Sequence, residues 1–362
     1  MEKINTGGEP RPLASAAPSG GEPRPLASAA GSGRKSRSFT GKWPVVVADS
    51  GGDPWYSTSE ADFGTESTLF TSYDEPMSEH STFKVGGTAD VLVRPPRDIF
   101  PAYAARLLKA AREEGIPVFI LGGGANIVVS DRGIRGIVLD TRDYNGVTKQ
   151  QDGSVSVLSG TSVDELTGKL AARGLSGLEF LAGMPGSVGG ALWMNARCYE
   201  KSVSDALIET EILNENFEKQ IIPFRAEDFS YKKSPFQNRD VLILSASFAV
   251  QGRESEYIRK EIASYRQDRR DKGHYRFPSA GSAFKNNRNF GAPSGKIIDE
   301  LGLRGFGMGG AQVAPWHGNI IINTGNATAG DIKGLMDEVA RRVKGERGLE
   351  LESEILFVGD WQ

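Results

Sequence analysis

Apolar positions fall in short blocks along this chain, separated by glycines, and their spacing predicts a mixed α+β body. From Phe83 to Asp140 the pattern alternates strand, helix, strand. Asp98 is placed to cap a helix with Pro101 in its first turn; the helix runs through Glu114 and Gly115 ends it. Pro117-Val-Phe-Ile-Leu121 reads as a buried strand, and Ile137-Val-Leu139 as another. Between Val155 and Val250 short strands surround a helix over 163–173, which Gly174 stops. Residues 256–270 read as a charged helix. Residues 295–301 and 329–345 read as two more helices around a strand at 319–322, and a strand at 354–358 closes the pattern. Glu350, Glu352 and Glu354 alternate, so on a strand all three point to one face.

Two stretches between these elements are stripped of side chains. The strand at 117–121 runs into Gly122-Gly123-Gly124-Ala125-Asn126. Further on come Gly183, Pro185, Gly186, Ser187, Gly189 and Gly190, with Gly177 upstream and Asn195 following. Glycine admits positive φ and lets another group come close. A strand that ends in such a loop aims backbone amides at a phosphate. Glycines also cluster in tight turns with no ligand; here their density, the lack of charge and Asn195 favour a nucleotide-cofactor loop. The dinucleotide fingerprint is absent, because no third glycine follows at the required spacing, and 291–296 is one residue short of a phosphate loop.

Composition narrows the classes. A chain of 362 residues has room for two or three domains and a sizeable core. Its formal net charge of −3 does not suggest a nucleic-acid binder. The single cysteine, Cys198, excludes an intramolecular disulfide and fits a reducing compartment. No apolar run approaches the roughly 20 residues that span a bilayer. His80, His274 and His317 lie far apart without metal-ligand spacing, so no metal is expected. The expectation is a cytoplasmic protein with no membrane and no obligate protein partner. Residues 1–38 are low in complexity: the segment 7–17 recurs unchanged at 20–30. Such a Pro/Gly/Ala/Ser composition buries little and reads as a disordered tail without the apolar core of a secretory signal.

Six pieces then stand in a fixed order. They are Ser81-Thr-Phe-Lys-Val-Gly-Gly87, Leu121-Gly-Gly-Gly-Ala-Asn126, Ala182-Gly-Met-Pro-Gly-Ser-Val-Gly-Gly190, Phe229-Ser-Tyr-Lys-Lys-Ser234, Ala280-Gly-Ser-Ala-Phe-Lys-Asn286 and Leu351-Glu-Ser-Glu354. In these pieces and their order the chain resembles the UDP-N-acetylenolpyruvoylglucosamine reductase (MurB) family, over residues 75–359. The resemblance implies a two-part FAD-binding domain of the vanillyl-alcohol-oxidase/PCMH type and a C-terminal α+β substrate domain. The implied boundaries are 39–75 for an N-terminal extension, 76–142 and 143–252 for the two FAD-binding subdomains, 253–347 for the substrate domain, and 348–362 for a strand returning to the FAD site. It implies noncovalent FAD, NADPH as co-substrate, and reduction of UDP-N-acetylglucosamine enolpyruvate to UDP-N-acetylmuramate for peptidoglycan synthesis.

Residue by residue, the resemblance assigns the cofactor to the glycine loops, Asn195 and Tyr231. Ser282 matches the proton donor. A serine hydroxyl is a weak acid and donates only if rigidly placed; the plain local reading is a turn serine after Gly281. Glu354 matches the glutamate that polarises the enolate, against a plain reading as a solvated acidic edge. Lys232 stands where the family has arginine, which keeps charge and loses the bidentate fork; a surface Lys-Lys pair is its plain reading. Lys285 and Asn286 are expected to reach the substrate carboxylate or phosphates, and Gln312 to touch substrate. Leu356 replaces an arginine of many relatives, so an ion pair to Glu354 has to come from elsewhere. Ala196-Arg-Cys-Tyr-Glu200 departs from the small residues and Tyr-Gly pair usual there. No insert carries an extra substrate-clamping tyrosine, which implies the subclass lacking it.

Two other functions remain open on sequence. One is a flavin oxidase of the same superfamily acting on an alcohol or sugar, which the Ser282 and Glu354 pieces argue against. The other is a non-catalytic flavin module. The tail yields a direct test: deleting residues 1–38 leaves melting temperature, flavin content and turnover nearly unchanged, and a clear loss of soluble, flavin-loaded protein contradicts it.

Overall fold

The computed structural model of the protein describes residues 70–362. The expected tail 1–38 and residues 39–69 of the expected extension lie outside the described residues. The body begins before residue 76, because the strand Thr71–Pro76 pairs antiparallel with Thr88–Val93. A boundary at 75/76 therefore cuts a strand.

The first sheet runs in the order Thr71–Pro76, Thr88–Val93, Ile134–Asp140, Val118–Leu121, parallel after its first pair. Parallel neighbours need a crossover, and α1 (Phe100–Glu113) supplies it, burying Phe100, Tyr103, Ala104 and Leu107. Its cap position is Ile99, not Asp98. Ile99 and Phe100 donate N–H bonds to the carbonyls of Pro96 and Arg97, so Asp98 lies within a turn and caps nothing. Gly115 ends the helix at φ +66°.

The second sheet is antiparallel, in the order Lys219–Pro223, Leu207–Leu213, Leu242–Phe248, Val155–Leu158, Val147–Lys149. Next to it lie α2 (Val163–Ala171), capped by Ser162, and the short α3 (Val188–Trp193), capped by Ser187. Val155, Val157, Leu166, Leu170, Leu192 and Phe248 share one core there. The charged helix is α4 (Ser255–Asp271), which buries only Ile258, Ile262 and Arg269.

The third part packs α5 (Ser294–Glu300) and α6 (Ala329–Arg347) against the strands Gly307–Met308, Ala311–Val313 and Ile321–Asn323. After α6, stopped by Gly348 at φ +67°, the chain returns. Leu356–Val358 pairs in parallel with Ile127–Val129, the strand that follows the first glycine loop.

The regular strand starts at Leu356, and the three alternating glutamates before it have three different lysine partners. Glu350 pairs with Lys344 at 2.7 Å, Glu352 with Lys285 at 2.5 Å and Glu354 with Lys232 at 2.5 Å. Ser353 is bridged antiparallel to Phe284, with Lys285 N–H on Glu352 O and Glu354 N–H on Ala283 O.

The start of α6 is tied to the first sheet. Asp131 accepts N–H bonds from Ala329 and Gly330, both at 2.8 Å. Losing a helix cap costs about 0.5–2 kcal/mol. Asp131→Ala is expected to lower stability in urea by that amount, and Asp131→Asn also falls below parent because its single amide oxygen replaces two acceptors; equal midpoints for all three proteins contradict this role.

Candidate active site

The two glycine loops touch. A Cβ on Gly122 would lie 2.3 Å from Ser187 Oγ, and one on Gly123 would lie 2.5 Å from Gly186 Cα. No side chain fits at Gly123 without moving backbone. Gly124 turns at φ +61° beside the carbonyl of His80, and Thr82 donates its N–H to the Gly124 carbonyl at 3.0 Å. Gly122, Gly123, Gly124, Ala125 and Asn126 line a cleft of about 1190 Å³, faced by Pro185, Gly186, Ser187, Gly189 and Gly190. The N–H groups of Gly123, Gly124 and Ala125 donate to no partner among the described residues. Gly189 and Gly190 use theirs on Ser159 O and Ser187 Oγ, which fixes the second loop. Gly183 lies off the cleft: its N–H donates to Asp164 and its carbonyl accepts from the Tyr275 hydroxyl, both at 2.6 Å.

Ser282, Glu354 and Lys232 meet on another wall of the same cleft. The segment 282–285 lies between two others. Ala283 donates its N–H to Asn319 O at 2.8 Å, and Glu354 donates its N–H to Ala283 O at 2.9 Å. Asn319 also pairs its side chain with both backbone groups of Phe284. Ser282 is thus held beside the backbone of Glu354. From the first glycine loop, the Asn126 side chain donates to Glu354 O at 2.8 Å. The Glu354 carboxylate is buried, and Lys232 Nζ stands 2.5 Å from it. The ion pair that Leu356 no longer offers comes from Lys232.

A cationic wall borders this group. Arg269, 9 % exposed, lines the cleft, and its Nε has no hydrogen-bond partner among the described residues. Tyr199 donates to Asp268 at 2.7 Å, and Lys272 pairs with the same carboxylate at 2.8 Å. Burial and that hydrogen bond push the Tyr199 phenol up. Burial and the charge of Arg269 push His274 down to about 4, so it is neutral at neutral pH. Burial raises the Cys198 thiol, against the opposing charge of Arg269.

Other expected site residues do not line the cleft. Asn195 is buried; its amide donates to Ser230 O at 2.9 Å and its oxygen accepts from Ser204 N–H. It braces the turn that carries Lys232. Tyr231 is 41 % exposed, and its hydroxyl accepts the Asn286 N–H. Lys285 is paired with Glu352, the Asn286 side chain accepts from Ser294 N–H at the start of α5, and Gln312 donates to Gly305 O. Each of these side chains has a partner inside the protein that accounts for its position.

Comparison with known proteins bears on the same residues. A family model described as UDP-N-acetylenolpyruvoylglucosamine reductase, C-terminal domain, matches residues 273–358, and one described as FAD binding domain matches 101–216. The UDP-N-acetylenolpyruvoylglucosamine reductase of Treponema denticola is 41 % identical over 303 residues, covering 79 % of this chain and 93 % of its own. That of Borrelia garinii is 39 % identical over 283 residues, covering 78 % and 92 %. The crystal structure of the reductase from Thermus caldophilus is similar at 32 % identity and a TM-score of 0.63, covering 79 % of this chain and 97 % of that one. The chain belongs to the UDP-N-acetylenolpyruvoylglucosamine reductase family.

The reductase family implies FAD, and the residues present fit it. Free loop amides line the cleft together with the Ser159 hydroxyl, which is buried there without a partner among the described residues. These donors suit a diphosphate. Both ring nitrogens of His80 are engaged, by Glu75 and Arg142, and Cys198 donates to Phe180 O. Ser159 and Arg269 are polar groups on the cleft that the sequence pieces do not single out. Ile258, Ile262 and Arg269 are spaced four and seven residues apart, one helix face, so an arginine on the apolar stripe of α4 was the available signal. Gly123→Ala is expected to abolish copurifying FAD, measured as flavin released from heat-denatured protein; parent-level loading contradicts the contact between the loops.

Proposed function

We propose that this chain reduces UDP-N-acetylglucosamine enolpyruvate to UDP-N-acetylmuramate, with FAD as bound cofactor and NADPH as co-substrate, in the synthesis of peptidoglycan precursors. One observation carries the reading: Ser282, Glu354 and Lys232 converge on the cleft that the two glycine loops line. The bound FAD supplies two-electron transfer between the nicotinamide nucleotide and the enol ether. The protein then has to protonate the carbon that bears the substrate carboxylate and to stabilise the charge that develops beside it.

Ser282 is the proton donor in this reading. Its backbone neighbours are held on both sides, which gives a weak acid the fixed geometry it needs. Lys232 offers positive charge where the enolate forms, and Glu354 holds Lys232 in place while facing the reacting carbon. A lysine does this with one ammonium where relatives use a planar fork, so orientation falls to its surroundings. Arg269 and Lys272 serve the diphosphate: an unpartnered guanidinium Nε on the cleft suits a phosphate oxygen. The chain is assigned to the subclass without the extra clamping tyrosine. A cytoplasmic location accords with the nucleotide substrates, and no helix among the described residues is long and apolar enough to cross a membrane.

The two halves of the reaction separate the roles. Ser282→Ala is expected to leave bleaching of the flavin band by NADPH at the parent rate. Its return on adding the enolpyruvyl substrate slows by about 10²–10⁴-fold. Stopped-flow absorbance follows both phases, and recovery at the parent rate assigns the proton to another donor.

A further inference from the structure

Lys232 holds its ammonium on Glu354 from a backbone conformation that a side chain resists. Its φ is +59°, in the left-handed region where a Cβ is strained. Ser230 and Lys233 close the turn by exchanging N–H bonds of 3.2 and 3.1 Å, with Tyr231 and Lys232 at its tip. Such a turn keeps its shape only if its surroundings over-determine it.

Gln237 supplies that constraint. Its Nε2 donates to the Lys232 carbonyl at 3.0 Å and to the Trp193 carbonyl at 2.9 Å. A primary amide has two N–H donors, so both bonds form at once. Glutamate cannot make them when ionised, and asparagine is shorter by a methylene. Trp193 is the last residue of α3, the helix whose first turn is capped by Ser187 of the second glycine loop. Ser234 also donates to the Trp193 carbonyl, at 2.7 Å, and Asn195 holds Ser230 from a backbone with φ +41°.

We propose that Gln237 is a positioning residue for the reaction: its side-chain amide ties the Lys232 carbonyl to the end of α3 and so keeps Lys232 Nζ on Glu354. The inference rests on the role given above to Lys232 and Glu354. Without the amide, Lys232 can relax to negative φ and carry its ammonium off the carboxylate. The glycine loop at the other end of α3 is untouched, so the effect falls on the second half of the reaction alone.

The test is a double-mutant cycle on the flavin-loaded full chain, with Gln237→Met, Lys232→Met and the double variant. Gln237→Met is expected to keep parent flavin content, parent melting temperature and the parent rate of flavin bleaching by NADPH. Flavin recovery with the enolpyruvyl substrate is expected to slow roughly 10- to 100-fold, as misplacement of a reacting group does. In the Lys232→Met background the same change is expected to add nothing, since the two act through one contact. Amide hydrogen exchange over 230–234 is expected to quicken while α2 keeps its protection. Effects that multiply, or an equal slowing of both half-reactions, overturn the proposal. If Lys232→Met itself recovers at the parent rate, the role of Lys232 fails first. If Lys232→Met is slow and Gln237→Met is not, only the role of Gln237 fails. Should Gln237→Met not load flavin, Gln237→Ala replaces it; failure of both makes Gln237 a core residue and overturns the proposal as well.

Discussion

The backbones of two loops meet at Gly123 and Gly186 with no space left for a carbon atom between them. One loop ends a parallel strand of the first sheet and the other opens α3 beside the second sheet. Their contact sets how the two sheets face each other across the cleft, and it leaves a row of backbone donors that the protein itself does not satisfy. Unsatisfied polar groups are costly when shut off from water. These donors open onto the cleft, where water or a charged ligand can accept from them. Binding and architecture are therefore one constraint: the backbone that makes the loops fit each other is the backbone that addresses the cofactor.

The opposite wall depends on a buried ion pair. Taking a lysine and a glutamate out of water costs more than their attraction commonly returns, so Lys232 and Glu354 are poor devices for stability. They make sense as a local charge arrangement held ready for chemistry. The surrounding hydrogen bonds point the same way. Asn126 secures the Glu354 backbone, Asn195 and Gln237 secure the turn of Lys232, and Asn319 secures the strand of Ser282. Four side-chain amides hold the backbone, and the groups that can exchange a proton or carry charge are left to face the cleft.

Much of this was readable in the residues. Gly122–Gly124 and Gly186–Gly190 announced a bare backbone, and periodicity located every long helix to within a few residues. Ser282 and Glu354 stand out only by likeness of short pieces, since a serine after a glycine carries no chemical signal of its own. What stayed hidden was pairing. Nothing local says that Lys232 replaces the charge missing at Leu356, because their proximity is made by tertiary structure. Asn195, Lys285, Asn286 and Gln312 show the converse. Their types suit ligand contact and each also has a partner inside the protein, and one sequence cannot rank the two uses. The strand Ile127–Val129 was likewise invisible: three residues are too few for a pattern, and its partner is distant in the chain.

That distance has a kinetic meaning. Asn126 and Glu354 are 228 residues apart, and the parallel pair beside them closes the loop between. Contacts of such separation form late, after local sheets have condensed. The strand is short and has one strand neighbour, and the segment around it is held further by Glu354 N–H on Ala283 O, Ser130 N–H on Val358 O and Asp360 N–H on Gly133 O. The wall of the cleft that carries Glu354 is therefore complete only when the first glycine loop and the C-terminal segment, far apart in sequence, have met.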